Sequence, residues 1–562
     1  MNPVALDDGR PVWNSAKALV LTVAGGASGF SSFYRLPVMF VTFGVGNFMI
    51  PYIVCLLLIA FPLSALELFL GYQMRKASAG TFAELHPRAV GVGYAMPLIG
   101  AVVVAIYSSV VVGWTVFPFF IRSFAQEAPF NFESVQEARE FWHDRALFTG
   151  DNFVVLLVLA AVWFIASLIA GRGIRSIMIA VYFTVPIPHL FLLGLMAYAC
   201  TVADRDRLAR ILSPTVDGVF DFAVWGNAVG QSLLSVQAAN GNLVAFGSFC
   251  RPVHNTFNIS VGVFVHGLVL TIIFATTTAC AMSLLDWESA AGDAFFIGFF
   301  APLGIFASLI SKVTTSGPLA ICFFACVLVL ALEHLATALQ VLYSILWDFA
   351  VALRGRKLGF LIGVGSLALS VPLTLRGSYD AISALDQATV AVALPLIAAA
   401  ETIVVGYCWA DKSIVTVMQE RSTPGGWAGF KAFVSIAFHQ SVGRIVDLAR
   451  QQGRPTRFAS ALPLFVKLLI PVACLVSCIG SFVMLCRNVE AVGLPGFFCG
   501  VGIVLVTLCV IIANAAFAVS KTVAVPWTDE VTMSAVGDVG SSSPEHAQTA
   551  PSRSDTVELR PT

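Results

Sequence analysis

The chain is 562 residues long, 58% hydrophobic and only 11% charged, with Lys+Arg and Asp+Glu balanced at 32 each. An ordinary soluble domain carries about 25% charged residues, so at a mean hydropathy of +0.87 a soluble globular protein is excluded, and the neutral balance argues against a nucleic-acid partner. About 20 apolar residues make one membrane span, which leaves room for roughly twelve and no second soluble domain.

The opening MNPVALDDGRPVWNSAK is too polar for a cleavable signal, so the first apolar stretch is expected to remain as a helix. Hydropathy then predicts spans at 16–40, 46–73, 93–122, 153–171, 176–201, 223–250, 256–284, 318–348, 358–375, 387–409, 460–485 and 494–519. The expected organisation is an N-terminal segment 1–15, a transmembrane domain 16–519 and a largely disordered tail 520–562, rich in Ser, Pro and Thr. Outside the spans or at their very ends, the side that holds the N-terminus carries 21 Lys and Arg and the other side 9, so both termini are expected in the cytoplasm. An integral protein of the plasma membrane follows, with an internal membrane as the alternative. Two outer connections are long. The one at 122–152 is acidic and amphipathic; that at 286–317 contains FFIGFFAPLGIFASLI, read as a re-entrant or surface hairpin, with a thirteenth span as the competing reading. The 12 cysteines lie in or beside apolar stretches, where a small buried hydrophobe is the ordinary role, and no metal cluster is expected from them.

Two spans carry small polar runs at mid-membrane depth: Ala24-Gly25-Gly26-Ala27-Ser28-Gly29-Phe30-Ser31-Ser32 in the first and Gln237-Ala238-Ala239-Asn240-Gly241-Asn242 in the sixth. Such runs unwind a helix and expose carbonyls and amides that ions or solute can satisfy. Each lies in the first helix of a five-helix half, the mark of an inverted-repeat transporter with its site at the repeat interface. Close helix packing through glycine is the plainer alternative. The expected fold is an all-α polytopic membrane protein of about twelve helices, a 5+5 inverted repeat with helices 1 and 6 unwound. No catalytic constellation or nucleotide-binding loop appears, so no enzyme activity is expected.

Trp13, the run Gly25 to Pro37 ending Tyr34-Arg35-Leu36-Pro37, then Gly44-Val45-Gly46-Asn47-Phe48-Met49-Ile50-Pro51-Tyr52, and Pro62, Glu67 and Gly71 closely resemble the first two helices of the neurotransmitter:sodium symporter family, which has the bacterial leucine transporter fold. The likeness continues through Gly91-Val92-Gly93-Tyr94, Ile106-Tyr107, Trp114, Gly230-Gln231, Gly247-Ser248-Phe249, Glu401 and Trp409-Ala410-Asp411-Lys412. The resemblance implies an ion-coupled symporter of an amino acid or related small polar solute, with sodium or a proton as coupling ion, chloride as a further candidate, and no cofactor. A receptor or sensor that kept the fold without transport is the alternative.

Carried over by position, the resemblance implies an outer gate of Arg35 and Asp386. It implies an inner gate of Arg10 and Asp348 supported by Gln340 and Phe249. Glu67 falls at the family's buried second-helix glutamate, read here as structural. The ion sites depart from the family. The first would comprise Ala27, Ser32, Ser235 and His266, the last standing beside Gly267 where an asparagine is usual. The second would comprise Gly25, Ser28, Glu333 and His334, the last two replacing a hydroxyl pair. Sodium prefers several hard oxygens with little net charge, so Glu333 and His334 leave three readings open: proton coupling, a direct cation ligand, or a structural pair filling the site. A chloride-like cluster of Tyr52, Gln231, Ser235 and Thr271 is kept. The substrate pocket would be lined by Ala27, Gly29, Tyr107, Ser108, Leu234, Gln237 and Asn240. Gly29 replaces the aspartate of monoamine transporters, so no carboxylate awaits an amine, and the pocket is more polar than one for leucine.

Overall fold

The computed structural model describes residues 10–124, 152–171, 173–284, 301–312, 316–349, 356–375, 378–408, 461–487 and 489–521. Trp409 to Lys412, most of the 122–152 connection and the tail beyond 521 lie outside the described residues. Among the described residues every regular element is helical.

Among the described residues eight helices are long and apolar enough to cross a membrane, and beside them stand three shorter apolar helices and one interrupted one. They are α1 (16–43), α2 (Val45–Met74), α3 (87–124), α4 (Asn152–Ala170), α5 (Ile174–Val202), α6 (Phe222–Ser235 and Asn242–Gly247), α7 (Thr256–Ser283), α8 (Ser316–Phe349), α9 (356–374), α10 (378–408), α11 (Ala461–Arg487) and α12 (Val489–Lys521). Their starts have local causes. Ser15 is extended and its hydroxyl accepts from Ala18 N–H at 3.2 Å, and Asn255 accepts from Phe257 and Asn258 N–H, which satisfies donors that a helix start leaves free. Helix α3 begins six residues before the hydropathy limit because Pro87, with φ preset and no N–H to lose, opens it after His86. Helix α10 begins nine residues early, at Ser378, because SYDAISALDQ is too polar to register as a span although its turns are helical. That early start brings Asp386 inside the helix.

The 286–317 connection contributes a described helix, Ala301–Ser311, about 16 Å long at 1.5 Å per residue, short of the roughly 30 Å hydrocarbon core. Its Ile305, Phe306, Leu309 and Ile310 are buried, and Phe306 stacks on Phe33 of α1 at 5.4 Å. It packs on the bundle as a short surface helix.

Helices α2 and α6 approach through glycine. A Cβ built on Gly71 would stand 2.0 Å from Val244 O, a backbone atom that no rotamer change can move. Gly71→Ala is therefore expected to destabilise the protein by about 1–3 kcal/mol, as overpacking does, and to lower the Tm in detergent. Gly194, with nothing within 4 Å, supplies the control: Gly194→Ala should stay within about 0.5 kcal/mol of the parent.

Candidate functional site

The two interruptions differ in kind. In α6 the chain leaves the helix after Ser235 and resumes at Asn242, with Gln237 (φ 60°), Ala239 (φ 60°) and Gly241 (φ 82°) in the left-handed region. Two non-glycine residues there cost roughly 1–2 kcal/mol each, so other groups must hold them. Glu67 Oε1 accepts from Ala239 N–H at 2.6 Å, and Gln237 Oε1 accepts from the side-chain amides of Asn240, at 3.0 Å, and Asn242. Glu401 of α10 is buried within electrostatic reach of Glu67, so two buried carboxyls lie near one another beside the break.

In α1 the chain never leaves the helix. Ala16–Ala27 passes into a π-helical stretch, Ser28–Arg35, and then into Leu36–Phe43. Serine hydroxyls bond back along the turn: Ser28 Oγ donates to Ala24 O, which also accepts from Ser28 N–H, and Ser32 Oγ donates to Ala27 O at 3.0 Å. The expected unwinding is thus a continuous π turn here, a form that recurs at functional sites.

Two buried charge pairs flank α1, one ahead of its first turn at Arg10 and one at the last residue of the π turn, Arg35. Arg35 Nε donates to Asp386 Oδ2 at 2.9 Å, Nη1 to Gln231 Oε1 at 3.0 Å and Nη2 to Asn227 Oδ1 at 3.2 Å; Tyr107 donates to Asp386 Oδ1 at 3.1 Å. Arg10 pairs with Asp348, its guanidinium lying 4.7 Å over the Phe249 ring, while Asp348 Oδ2 also accepts from Ala77 N–H at 2.7 Å. Trp13 latches the same segment to α6 through bonds to Phe246 O and Phe249 O. Gln340 donates to Ser344 Oγ at 3.2 Å. Both pairs are closed at once.

Around the π turn the structure gathers ionisable groups. Glu333 Cγ would meet a Cβ on Gly25 at 2.5 Å, and Thr184 Oγ1 lies 3.2 Å from Glu333 Oε2. His334 Nδ1 donates to Gly26 O at 2.7 Å. Glu333 Oε1 and His334 Nε2 are buried with no hydrogen-bond partner among the described residues. His266 turns to α5: its Nε2 meets His189 Nε2 at 3.0 Å, and that same nitrogen lies 3.1 Å from Ser28 Oγ. Since His189 Nδ1–H donates to Val185 O, its neutral ring presents an unprotonated Nε2. No group of three or more His, Cys, Asp or Glu that could hold a metal ion occurs among the described residues.

The remaining candidates fall into two sets. Tyr52 donates to Thr271 Oγ1 at 2.9 Å, Thr271 to Gly267 O, Gln231 to Ser235 Oγ at 3.3 Å and Ser235 to Gln231 O, so each donor of the chloride-like cluster has an acceptor within the protein. Among the pocket candidates, Gly29 lies against α8, a Cβ there standing 2.7 Å from Leu330 O; Ser108 donates to Ala105 O; Leu234 O accepts from Gln237 Nε2. Tyr107 turns to Asp386, as described.

Sequence reading missed Asn227 and His189. Asn227 precedes Gln231 by one helical turn and so shares its face, a signal that was available. His189 is an ionisable residue within a span, which by itself marks a functional candidate.

Comparison with known proteins gives concordant results. The model of the family described as "Sodium:neurotransmitter symporter family" matches residues 10–145 and 132–432. The chain is 27% identical over 271 residues to the human sodium-dependent neutral amino acid transporter SLC6A17, a match covering 44% of this chain and 37% of that protein. It is 26% identical over 299 residues to the mouse sodium- and chloride-dependent transporter XTRP3B, covering 49% and 46%. These matches span less than half the length of either relative. Among solved structures, MhsT in complex with L-phenylalanine superposes with a TM-score of 0.67 at 17% identity, over 84% of this chain and all of that one, which establishes a shared fold.

Proposed function

The chain belongs to the sodium:neurotransmitter symporter family, and from that premise we propose that it is an ion-coupled symporter that carries a neutral amino acid or related small polar solute by alternating access. The observation that carries this reading is the pair of ionic locks. Arg10–Asp348 stands ahead of the start of α1 and Arg35–Asp386 at the end of its π turn, and both are closed. A charged pair is weak when water reaches it and strong when water is excluded. Such pairs open in turn as a solute passes, which is what a gate on each side of a midplane site requires. Arg35–Asp386 is the outer gate, steadied by Tyr107, Gln231 and Asn227. Arg10–Asp348 is the inner one, capped by Phe249, with both termini cytoplasmic and the chain in the plasma membrane.

The solute site is assigned to the two interruptions, Ala27–Gly29 of α1 and Gln237–Asn240 of α6. Gly29 offers no carboxylate to an amine, and the Gln237, Asn240 and Asn242 amides supply neutral hydrogen bonding, which suits a zwitterion better than a monoamine. The relatives' neutral amino acid specificity supports the same class. A screen of the common amino acids by thermal stabilisation of purified protein tests it. At 100 times its Kd a ligand stabilises by about 2.7 kcal/mol, so at least one neutral amino acid should raise the Tm, more strongly with sodium present. A flat screen in both salts would refute the assignment.

Sodium is the coupling ion, held at the second site with Glu333 as its charged ligand. A second reading, proton coupling through Glu333, is favoured by one observation: Glu333 Oε1 is buried without a hydrogen-bond partner among the described residues, and His189, His266 and His334 gather about the same turn. Chloride is dispensable on this account, because the hydroxyl cluster around Tyr52 already satisfies itself. Replacing chloride by gluconate should change uptake less than about twofold, a difference under roughly 0.4 kcal/mol.

A further inference from the structure

Helices α5 and α7 touch at three successive levels. His189 meets His266; 11 residues on, Cys200 meets Cys280, the Cys280 thiol pointing at Cys200 Sγ across 3.9 Å; beyond them Asp204 N–H donates to Ser283 Oγ at 3.0 Å. From the first level to the second the helices advance about 16 and 21 Å, at 1.5 Å per residue. Helices that run in the same direction produce this succession of contacts, and the sulfur contact belongs to it. It also lies at the membrane surface. Cys200 is exposed, Cys280 is buried behind it, and the chain continues from α5 into Asp204 and the helix Arg205–Leu212, which has no buried residue.

We propose that Cys200 and Cys280 form a reversible disulfide that clasps the outer ends of α5 and α7. The proposal rests on the orientation given above, which puts this end on the oxidising side of the membrane, where disulfides persist. The chemistry balances with a small-molecule disulfide as oxidant. The exposed Cys200, as thiolate, attacks one sulfur of the oxidant and expels the other as a thiolate. Cys280, pointing at it from behind, then loses its proton and attacks Cys200 Sγ of the mixed disulfide, expelling the second thiolate. Two electrons pass to the oxidant, whose halves leave as two thiols, and one S–S bond remains in the protein. The bond would close a segment of 80 residues, a constraint chiefly on the unfolded chain.

The test uses the purified full-length chain in detergent, incubated with oxidised glutathione or with reductant, alkylated, digested and mapped by mass spectrometry. The expected result is a 200–280 linked peptide in the oxidised sample, lost on reduction and in Cys200→Ser, with a higher Tm for the oxidised parent that Cys200→Ser does not show. Recovery of both cysteines as alkylated peptides after oxidation, or linkage of Cys200 to any other cysteine, would overturn the clasp. A membrane-impermeant maleimide on reduced, intact cells tests the orientation separately. Labelling of Cys200 supports it, and linkage in detergent without labelling in cells overturns the orientation while the clasp stands.

Discussion

Asp386→Asn is expected to lower solute uptake by at least roughly tenfold while the protein still folds and inserts. Asp386 is buried and takes hydrogen bonds from Arg35 and Tyr107. With the amide in its place, the Arg35 guanidinium keeps Gln231 and Asn227 and loses the one charged partner it has among the described residues. Breaking a buried pair from one side costs about 3–5 kcal/mol, which falls on the closed state, because only there is the pair dry. At 1.4 kcal/mol per factor of ten, the closed-to-open ratio drops by about two to three and a half orders of magnitude. The protein should then rest open to the outside, with water-accessible cysteine probes placed above the solute site reacting faster. Arg35→Gln combined with Asp386→Asn removes both charges and should recover part of the loss, the non-additivity that marks a direct pair. Wild-type uptake by Asp386→Asn would remove the outer gate from this account.

Glu333→Gln has the second large effect. It keeps the shape beside Gly25, and the Thr184 contact survives through the amide oxygen, so the bundle should assemble. The charge is lost. A monovalent cation held by carbonyls, a hydroxyl and one carboxylate loses most of its electrostatic attraction with that carboxylate, so the apparent sodium affinity of uptake should weaken at least about tenfold. Under the proton reading the outcome differs: the parent responds to pH between about 5.5 and 8 and the variant does not, because the glutamine cannot bind the proton. Unchanged sodium affinity together with a flat pH profile in the parent would make Glu333 a filler of the site and contradict both.

Much of this architecture is legible in the sequence, for identifiable physical reasons. Charge-free windows mark the spans because a bilayer tolerates little else. The run ending Tyr34-Arg35-Leu36-Pro37 marks the first charge pair, since an arginine inside a span demands a partner. What escaped has equally physical grounds. Hydropathy cannot find the start of α10, where Ser378–Gln387 mixes polar and apolar residues, so Asp386 appears at a helix entry although it sits inside the helix, two residues before the π stretch Ala388–Ala393. Composition cannot tell an unwound turn from a π turn. Gly25-Gly26 and Ser28 suit either, and the choice falls to Ser28 and Ser32, whose hydroxyls bond back to Ala24 and Ala27. His266 was assigned by its neighbour in the chain, whereas its contact is His189, 77 residues away. The Glu67 contact to Ala239 reverses the lesson: the resemblance supplied the glutamate, and the left-handed turn it holds became visible only in three dimensions.

The central claim is coupled transport, and one measurement addresses it most directly. Purified protein in sealed proteoliposomes is given a radiolabelled neutral amino acid chosen by the thermal screen, with an inward sodium gradient, with an inward proton gradient, or with neither. Transient accumulation above the external concentration under one gradient, abolished by an ionophore that collapses it and absent with neither gradient, is the predicted result. Solute binding without accumulation under any gradient, by protein that remains folded and correctly inserted, would contradict it and identify a receptor built on a transporter fold.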